Sequence, residues 1–295
     1  MDKIKNLVDP ELKKYCRHLP FSKFILRATR LPLKILYAFT SDKNVDVKSV
    51  IMLVDEELTA DVFTSRVMPE NKPTVLFMHG GGFGYDAAPQ HKRMAFGLAK
   101  NGYTVVLPHY RLLPNNKYPA AKEDALAAYA WTLKNLSDHV AVMGDSAGGT
   151  LAAYVALCAE KRGLKPPCCQ LLFYPLTDSS MSSESMKKYE KAPLWCAANN
   201  RKLIEMYGAA GAAAEAFPLT ATLPSVIVPS YIETAEHDCL SDEGAAFSDR
   251  LKEAGGETVL VRTKGTMHGY DGAQNSRLLK ELQRSRLEFL SKFEK

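Results

Sequence analysis

From about Val45 onward, short apolar and β-branched runs alternate with longer helical ones, and this alternation constrains the fold more than any other feature of the chain. Val47 to Val54 and Leu58 to Arg66 read as neighbouring strands joined by the acidic turn Asp55-Glu56-Glu57. Thr74 to Met78, Thr104 to Leu107, His139 to Met143, Cys169 to Tyr174, Val226 to Glu233 and Thr258 to Thr263 read as further strands. Helical stretches fall between them, at about Gln90 to Lys100, Ala121 to Leu136, Ala147 to Lys161, Asp242 to Ala254 and Leu278 to Phe293. The order predicts an α/β architecture: a mostly parallel central sheet flanked by helices on both faces, with an antiparallel start.

One interval breaks the rhythm. Thr177 to Leu223 is too long for a plain connection between strands, so it is expected to form an inserted helical cap. Ligands of open α/β sheets bind beyond the carboxyl ends of the strands, and an insertion emerging there would overhang the site. The expected division is an N-terminal helical region (1–44) that contributes to the cap, core segments at 45–177 and 224–295, and the inserted cap at 178–223. The Ala-rich stretch Gly208 to Ala214 reads as a surface connector.

Composition removes several classes. With 24% charged and 46% hydrophobic residues among 295, the chain is globular in type. It has no apolar stretch long enough to cross a bilayer and no signal-like N-terminus, which leads us to expect a cytoplasmic protein without stable membrane insertion. Cys16, Cys158, Cys168, Cys169, Cys196 and Cys239 form no C-x-x-C pair, so neither a metal site nor a disulfide framework is expected, and no cofactor motif is present. The net charge of +5 is too small to argue for nucleic acid.

That charge is unevenly placed. Lys13, Lys14, Arg17, Lys23, Arg27, Arg30 and Lys34 lie beside Phe24, Ile25, Leu26, Leu31, Leu33, Ile35 and Leu36. The segment reads either as an amphipathic helix attracted to anionic membranes or as a helix covering the core, its apolar residues packed inside and its charges in water.

Two glycine motifs carry the chemistry. Gly144-Asp145-Ser146-Ala147-Gly148 lies where a predicted strand becomes a predicted helix, and Ser146 there is either a nucleophile on a tight turn or an ordinary buried serine. The turn puts the Ala147 N–H at a helix N-terminus, unpaired and able to stabilise an oxyanion. Met78-His79-Gly80-Gly81-Gly82-Phe83 follows a strand, and consecutive glycines let backbone N–H groups converge on one point. Neither G-x-G-x-x-G nor G-K-[ST] is present, which argues against a nucleotide. A serine nucleophile also needs a base and an acid that orients it. His268 follows the last predicted strand, and Glu236, Asp238 and Asp242 follow the one before; Asp242 also looks like an N-cap for the next helix.

His79-Gly80-Gly81-Gly82-Phe83, Gly144 to Gly149, Asp238-Cys239-Leu240-Ser241-Asp242-Glu243-Gly244 and His268-Gly269-Tyr270, in that order, resemble the motifs of the hormone-sensitive-lipase-like family of α/β-hydrolase esterases. Tyr110-Arg111-Leu112-Leu113-Pro114, with Tyr118-Pro119-Ala120-Ala121 and Glu123-Asp124, resembles the segment between that family's glycine loop and its serine. The resemblance implies an α/β-hydrolase fold in which Ser146 attacks an ester carbonyl, His268 takes and returns the proton and Asp238 holds the imidazole. It also implies an oxyanion hole from the N–H groups of Gly81, Gly82 and Ala147, with His79 shaping the loop. Small carboxylic esters of short acyl chain are the implied substrates, without a cofactor, and Phe83, Tyr85, Trp195, Met206 and Tyr207 are candidates for the pocket. Monomer and homodimer are both compatible. Cys239 where proline is usual, Tyr270 where phenylalanine is common and Asn115-Asn116 are departures that bear on pocket shape. Amide or formamide hydrolysis, interfacial lipase action and a non-catalytic receptor on the same scaffold are the competing readings.

Overall fold

The computed structural model describes residues 2–53, 55, 57–67, 72–209 and 213–294. Glu56 of the acidic turn and Ala210 to Ala212 of the Ala-rich stretch lie outside the described residues. Two helices, α1 (Asp2–Leu7) and α2 (Lys23–Ala38), precede the antiparallel strands β1 (Val45–Leu53) and β2 (Leu58–Ser65). Then come β3 (Thr74–Met78), α3 (Pro89–Lys100), β4 (Val105–His109), α4 (Ala120–Asn135), β5 (Val140–Asp145), α5 (Ala147–Cys158) and β6 (Gln170–Phe173). The insertion carries α6 (Glu184–Lys188), α7 (Ala197–Tyr207) and α8 (Ala213–Ala216). The chain closes with β7 (Ser230–His237), α9 (Ser241–Glu253), β8 (Thr258–Met267) and α10 (Arg277–Ser291).

Among the described residues eight strands form one sheet in the order β1-β2-β4-β3-β5-β6-β7-β8, with β1, β2 and β4 paired antiparallel and the rest parallel. Helices cover both faces, so the central strands are buried throughout and read as continuous apolar runs. Alternation along β3 sends Leu76 and Met78 into one core with Val106, Val142 and Leu172, and Val75 and Phe77 into the other with Val105, Met143 and Leu171. Because β3, β5, β7 and β8 run parallel, the segments after each of them emerge at one end of the sheet.

Two strands differ from the sequence reading. The expected strand Val226 to Glu233 starts later and ends later, at Ser230–His237. Val226 is exposed and Pro229 has no N–H to give a ladder, so the apolar run there is an approach to the sheet. The last strand runs four residues further than expected, to Met267, pairing with His237 across a register shift. Both shifts bring strand ends closer to Asp238 and His268.

The helix α2 differs more. Only Leu26 and Tyr37 of it are buried, whereas Phe24, Leu31, Ile35 and Leu36 face solvent, so most of its apolar residues are not packed inside. Asp242 is not the N-cap of α9, which begins at Ser241 without a side-chain cap. Its carboxylate accepts instead from the Ser185 N–H at 2.7 Å and ties α6 to the loop carrying Asp238.

Candidate active site

The turn between β5 and α5 is very tight. A Cβ on Gly144 would stand 2.2 Å from the Gly148 carbonyl oxygen, and one on Gly148 would stand 2.0 Å from that of Met78. Ser146 itself has φ 53°, a left-handed conformation that a non-glycine residue adopts only when its surroundings hold it. Its N–H donates to the Phe173 carbonyl at 2.9 Å, which pins the turn to β6. The side chain therefore projects from the carboxyl end of the sheet.

Three side chains from three connections meet there. Ser146 Oγ lies 2.9 Å from Nε2 of His268, and Nδ1 of the same ring lies 2.7 Å from Oδ2 of Asp238. Asp238 is fully buried, its other oxygen accepting from the Leu240 N–H at 3.0 Å. A buried carboxylate on Nδ1 keeps the proton on that nitrogen and leaves Nε2 free to accept from the serine hydroxyl. Glu236, an alternative acid in the sequence, points away and accepts from the Gly265 N–H. Ser146 and His268 are 7% and 6% exposed, so the serine hydroxyl is nearly covered.

Beside Ser146 runs the glycine loop. Gly81 and Gly82 both have positive φ, 118° and 59°, which only glycine adopts without strain. Neither their N–H groups nor that of Ala147 meets a protein acceptor among the described residues. Asp145, inside the serine motif, fixes this loop: Oδ1 accepts from the Gly80 N–H at 2.8 Å, and Oδ2 lies 3.4 Å from His91 Nε2. His91 Nδ1 accepts from the Ala88 N–H, so Nε2 carries the proton toward Asp145. Burial works to raise the Asp145 carboxyl, but His91 and the Gly80 N–H hold it below the usual carboxylate range. His79 stacks on Tyr110 at 4.4 Å and directs Nδ1 to the Gly80 carbonyl. Burial, then the neighbouring His91, hold its pKa down to about 3, so it shapes the loop as a neutral ring.

The pocket candidates divide. Trp195 lies 6.1 Å from the His268 ring and is the nearest neighbour of a Cβ built on Gly82, at 2.9 Å; Leu203 and Phe21 follow at 3.0 Å. Tyr85 backs Gly81 and donates its hydroxyl to the Pro20 carbonyl. Phe83 and Tyr207 instead stack on one another at 4.3 Å, packing the insertion onto the body, and Met206 is half-buried against the same core. The N-terminal segment meets the insertion over the site: Leu194 N–H donates to the Arg17 carbonyl, Asn199 donates to the Leu19 carbonyl at 2.7 Å, and Phe21 packs edge-on against Trp195. A separate cleft of about 820 Å³, lined by Arg30, Tyr37, Asp61, Asp86 and His109, contains none of Ser146, Asp238 and His268.

Sequence reasoning missed Phe21, Leu203 and three buried anchors. Tyr174 packs edge-on against His268 at 4.8 Å and donates to Asp271 at 2.7 Å. Arg286, from α10, bridges Asp271 and Glu233. Glu243 accepts from the Thr177 N–H where the insertion begins, and burial pushes its carboxyl well above the usual range. Tyr174 and Arg286 are marked by no motif, and Glu243 falls within the Asp238 to Gly244 motif without its anchoring contact being legible there.

Fold and site together define an α/β hydrolase. Residues 75–271 match the family described as alpha/beta hydrolase fold, and the chain belongs to it, among the hormone-sensitive-lipase-like carboxylesterases. It is similar to carboxylesterase NlhH of Mycobacterium tuberculosis, 31% identical over 72% of this chain and 71% of that one. It also resembles ethyl acetate hydrolase of Pseudomonas putida, 30% identical over 68% and 69%. The crystal structure of a thermostable esterase from Pseudomonas putida ECU1011 superposes with a TM-score of 0.87 over 98% of both chains, at 25% identity. The chain is a carboxylesterase of this family. Among the described residues no helix is long and apolar enough to cross a membrane.

Proposed function

We propose that Ser146, His268 and Asp238 are the catalytic triad of an esterase for small carboxylic esters of short acyl chain. The observation that carries the reading is the hydrogen-bonded chain from Asp238 through His268 to Ser146, at 2.7 and 2.9 Å. As the Ser146 oxygen attacks the ester carbonyl, its proton passes to His268 Nε2, and Asp238 stabilises the imidazolium that forms. The carbonyl oxygen becomes an oxyanion, received by the N–H groups of Gly81, Gly82 and Ala147. Collapse expels the alcohol with the proton from His268 and leaves an acyl-Ser146, which water cleaves by the same steps in reverse.

Short acyl groups are favoured because Phe21, Trp195 and Leu203 already fill the space against Gly82. Residues 1–44 and 178–223 act jointly as the cap, supported by the Arg17–Leu194 and Leu19–Asn199 hydrogen bonds. The working form is a cytoplasmic monomer or homodimer, and no cofactor takes part. Ser146→Ala tests the core of the reading: turnover of a water-soluble acetate ester and labelling by a fluorophosphonate should both vanish in a protein that melts like the parent. Retained turnover would overturn the triad, and faster cleavage of a matched amide than of the ester would overturn the substrate class. A panel of esters of graded acyl length, run on the parent and on Trp195→Ala, reads the pocket; an unchanged profile would leave Trp195 as packing.

A further inference from the structure

The helix α2 has three distinct faces. Leu26 and Tyr37 turn inward, with Ile25 and Leu33 partly buried beside them. On the opposite side Phe24, Leu31 and Ile35 recur at helical spacing, and Phe39 continues the line just past the helix end. Phe24 is 77% exposed, Leu31 67% and Phe39 84%, in an otherwise well-packed protein. Lys23, Arg27, Arg30 and Lys34 follow the same spacing along one flank, and Lys23–Ala38 contains no acidic residue.

Of these cations, Arg30 and Lys34 approach Asp86 at 3.9 and 4.0 Å, and Lys34 is still largely in water. Lys23 and Arg27 have no ion pair among the described residues. A continuous apolar stripe facing water marks an interaction surface, and a stripe bordered by a row of cations is complementary to a surface apolar below and negative above. A second copy fits less well: pairing two such helices antiparallel through the stripe sets both rows of cations along the same edge.

We propose that α2 is a docking helix for anionic lipid bilayers, lying in the interface with Phe24, Leu31, Ile35 and Phe39 in the acyl boundary and Lys23, Arg27 and Lys34 among the headgroups. This is peripheral binding, since the helix is amphipathic and too short to span. Pro20 and Phe21, which close over the glycine loop, directly precede α2. Docking therefore brings the edge of the cap to the bilayer, where apolar esters concentrate.

The test is flotation of the full chain with vesicles of phosphatidylcholine alone or of equal parts phosphatidylcholine and phosphatidylglycerol. Binding is expected to the anionic vesicles, to fall on going from roughly 0.1 M to 1 M salt, and to be weak with phosphatidylcholine alone. Lys23→Gln and Arg27→Gln should each weaken it about fivefold, the effect of one basic residue near such a surface. Phe24→Ser and Leu31→Ser should each weaken it by about tenfold or more. All four variants alter exposed side chains, so melting and hydrolysis of a water-soluble ester should match the parent. Absence of binding to anionic vesicles, or binding insensitive to these substitutions, overturns the proposal. A dimer in light scattering that Phe24→Ser dissolves would also overturn it, assigning the stripe to a second copy. Vesicle binding is read without turnover, so its failure is distinct from failure of the triad.

Discussion

Arg286 offers the most discriminating test of how the site is held. It leaves α10 fully buried, donates Nε and Nη2 to Glu233 at 2.8 and 2.6 Å and Nη1 to Asp271 at 2.9 Å, and its guanidinium lies 3.7 Å over the Phe173 ring. Glu233 stands on β7, the strand that leads to Asp238, and Asp271 stands three residues after His268. One cation thus fastens the segment carrying Asp238 to the segment carrying His268. Arg286→Met keeps much of the stem but leaves two buried carboxylates without their counter-charge. Removing one partner of a buried pair costs about 3–5 kcal/mol. At roughly 2–4 °C per kcal/mol for a chain of this size, melting should fall by on the order of 10 °C at pH 8. Burial already raises the Asp271 carboxyl against the pull of Arg286, and without that cation it rises further. A native carboxyl held above its unfolded value binds protons that the unfolded chain has lost, so stability falls as pH rises through that interval. The variant's deficit should consequently shrink at pH 5. Melting curves of parent and variant at both pH values decide it: equal melting, or a larger deficit at pH 5, would refute the reasoning. In the variant that remains folded, kcat should fall more than KM rises, because Asp271 no longer holds Tyr174 against His268.

Asp238→Asn should lower kcat by up to about 10⁴-fold through the wrong imidazole tautomer, whereas Asp242→Asn keeps an oxygen for the Ser185 N–H and should turn over at nearly the parent rate; the reverse pattern would mean the acid is misassigned. Gly148→Ala places a methyl 2.0 Å from a backbone oxygen that cannot swing away, so its cost should exceed the ordinary overpacking range of about 1–3 kcal/mol, and a variant that melts like the parent would refute the tight-turn account. Glu243→Gln preserves the acceptor for the Thr177 N–H and removes a carboxyl that burial pushes up. It should be at least as stable as the parent at pH 8, with any advantage smaller at pH 5, and a large loss of melting temperature at pH 8 would show that the charged form is needed.

How much the sequence discloses follows from which forces act locally. The turn at Ser146 is legible because Gly144 answers to backbone atoms within a few residues, although Gly148 answers to the distant Met78 carbonyl, and because a fully buried strand and an Ala-rich helix declare themselves by composition. Asp238 and His268 are legible as loop residues near predicted strand ends and as members of the family's motifs, whereas the contacts of Asp242 are not: short-range capping preference points it to its own helix, while tertiary structure gives it to Ser185. Arg286 was beyond reach, being one Arg in a helix whose charge pattern reads as solvated, with its partners supplied by residues 53 and 15 positions away in sequence. The division within α2 was hidden for a related reason. Helical spacing specifies that Phe24, Leu31 and Ile35 share a face, but periodicity carries no sign, and only the packed body decides which face it covers. Here it covers the face of Leu26 and Tyr37. The more continuous apolar stripe is the one left outward, and a protein that keeps it there at the cost of exposed hydrocarbon has a surface whose chemistry is set by something other than its own core.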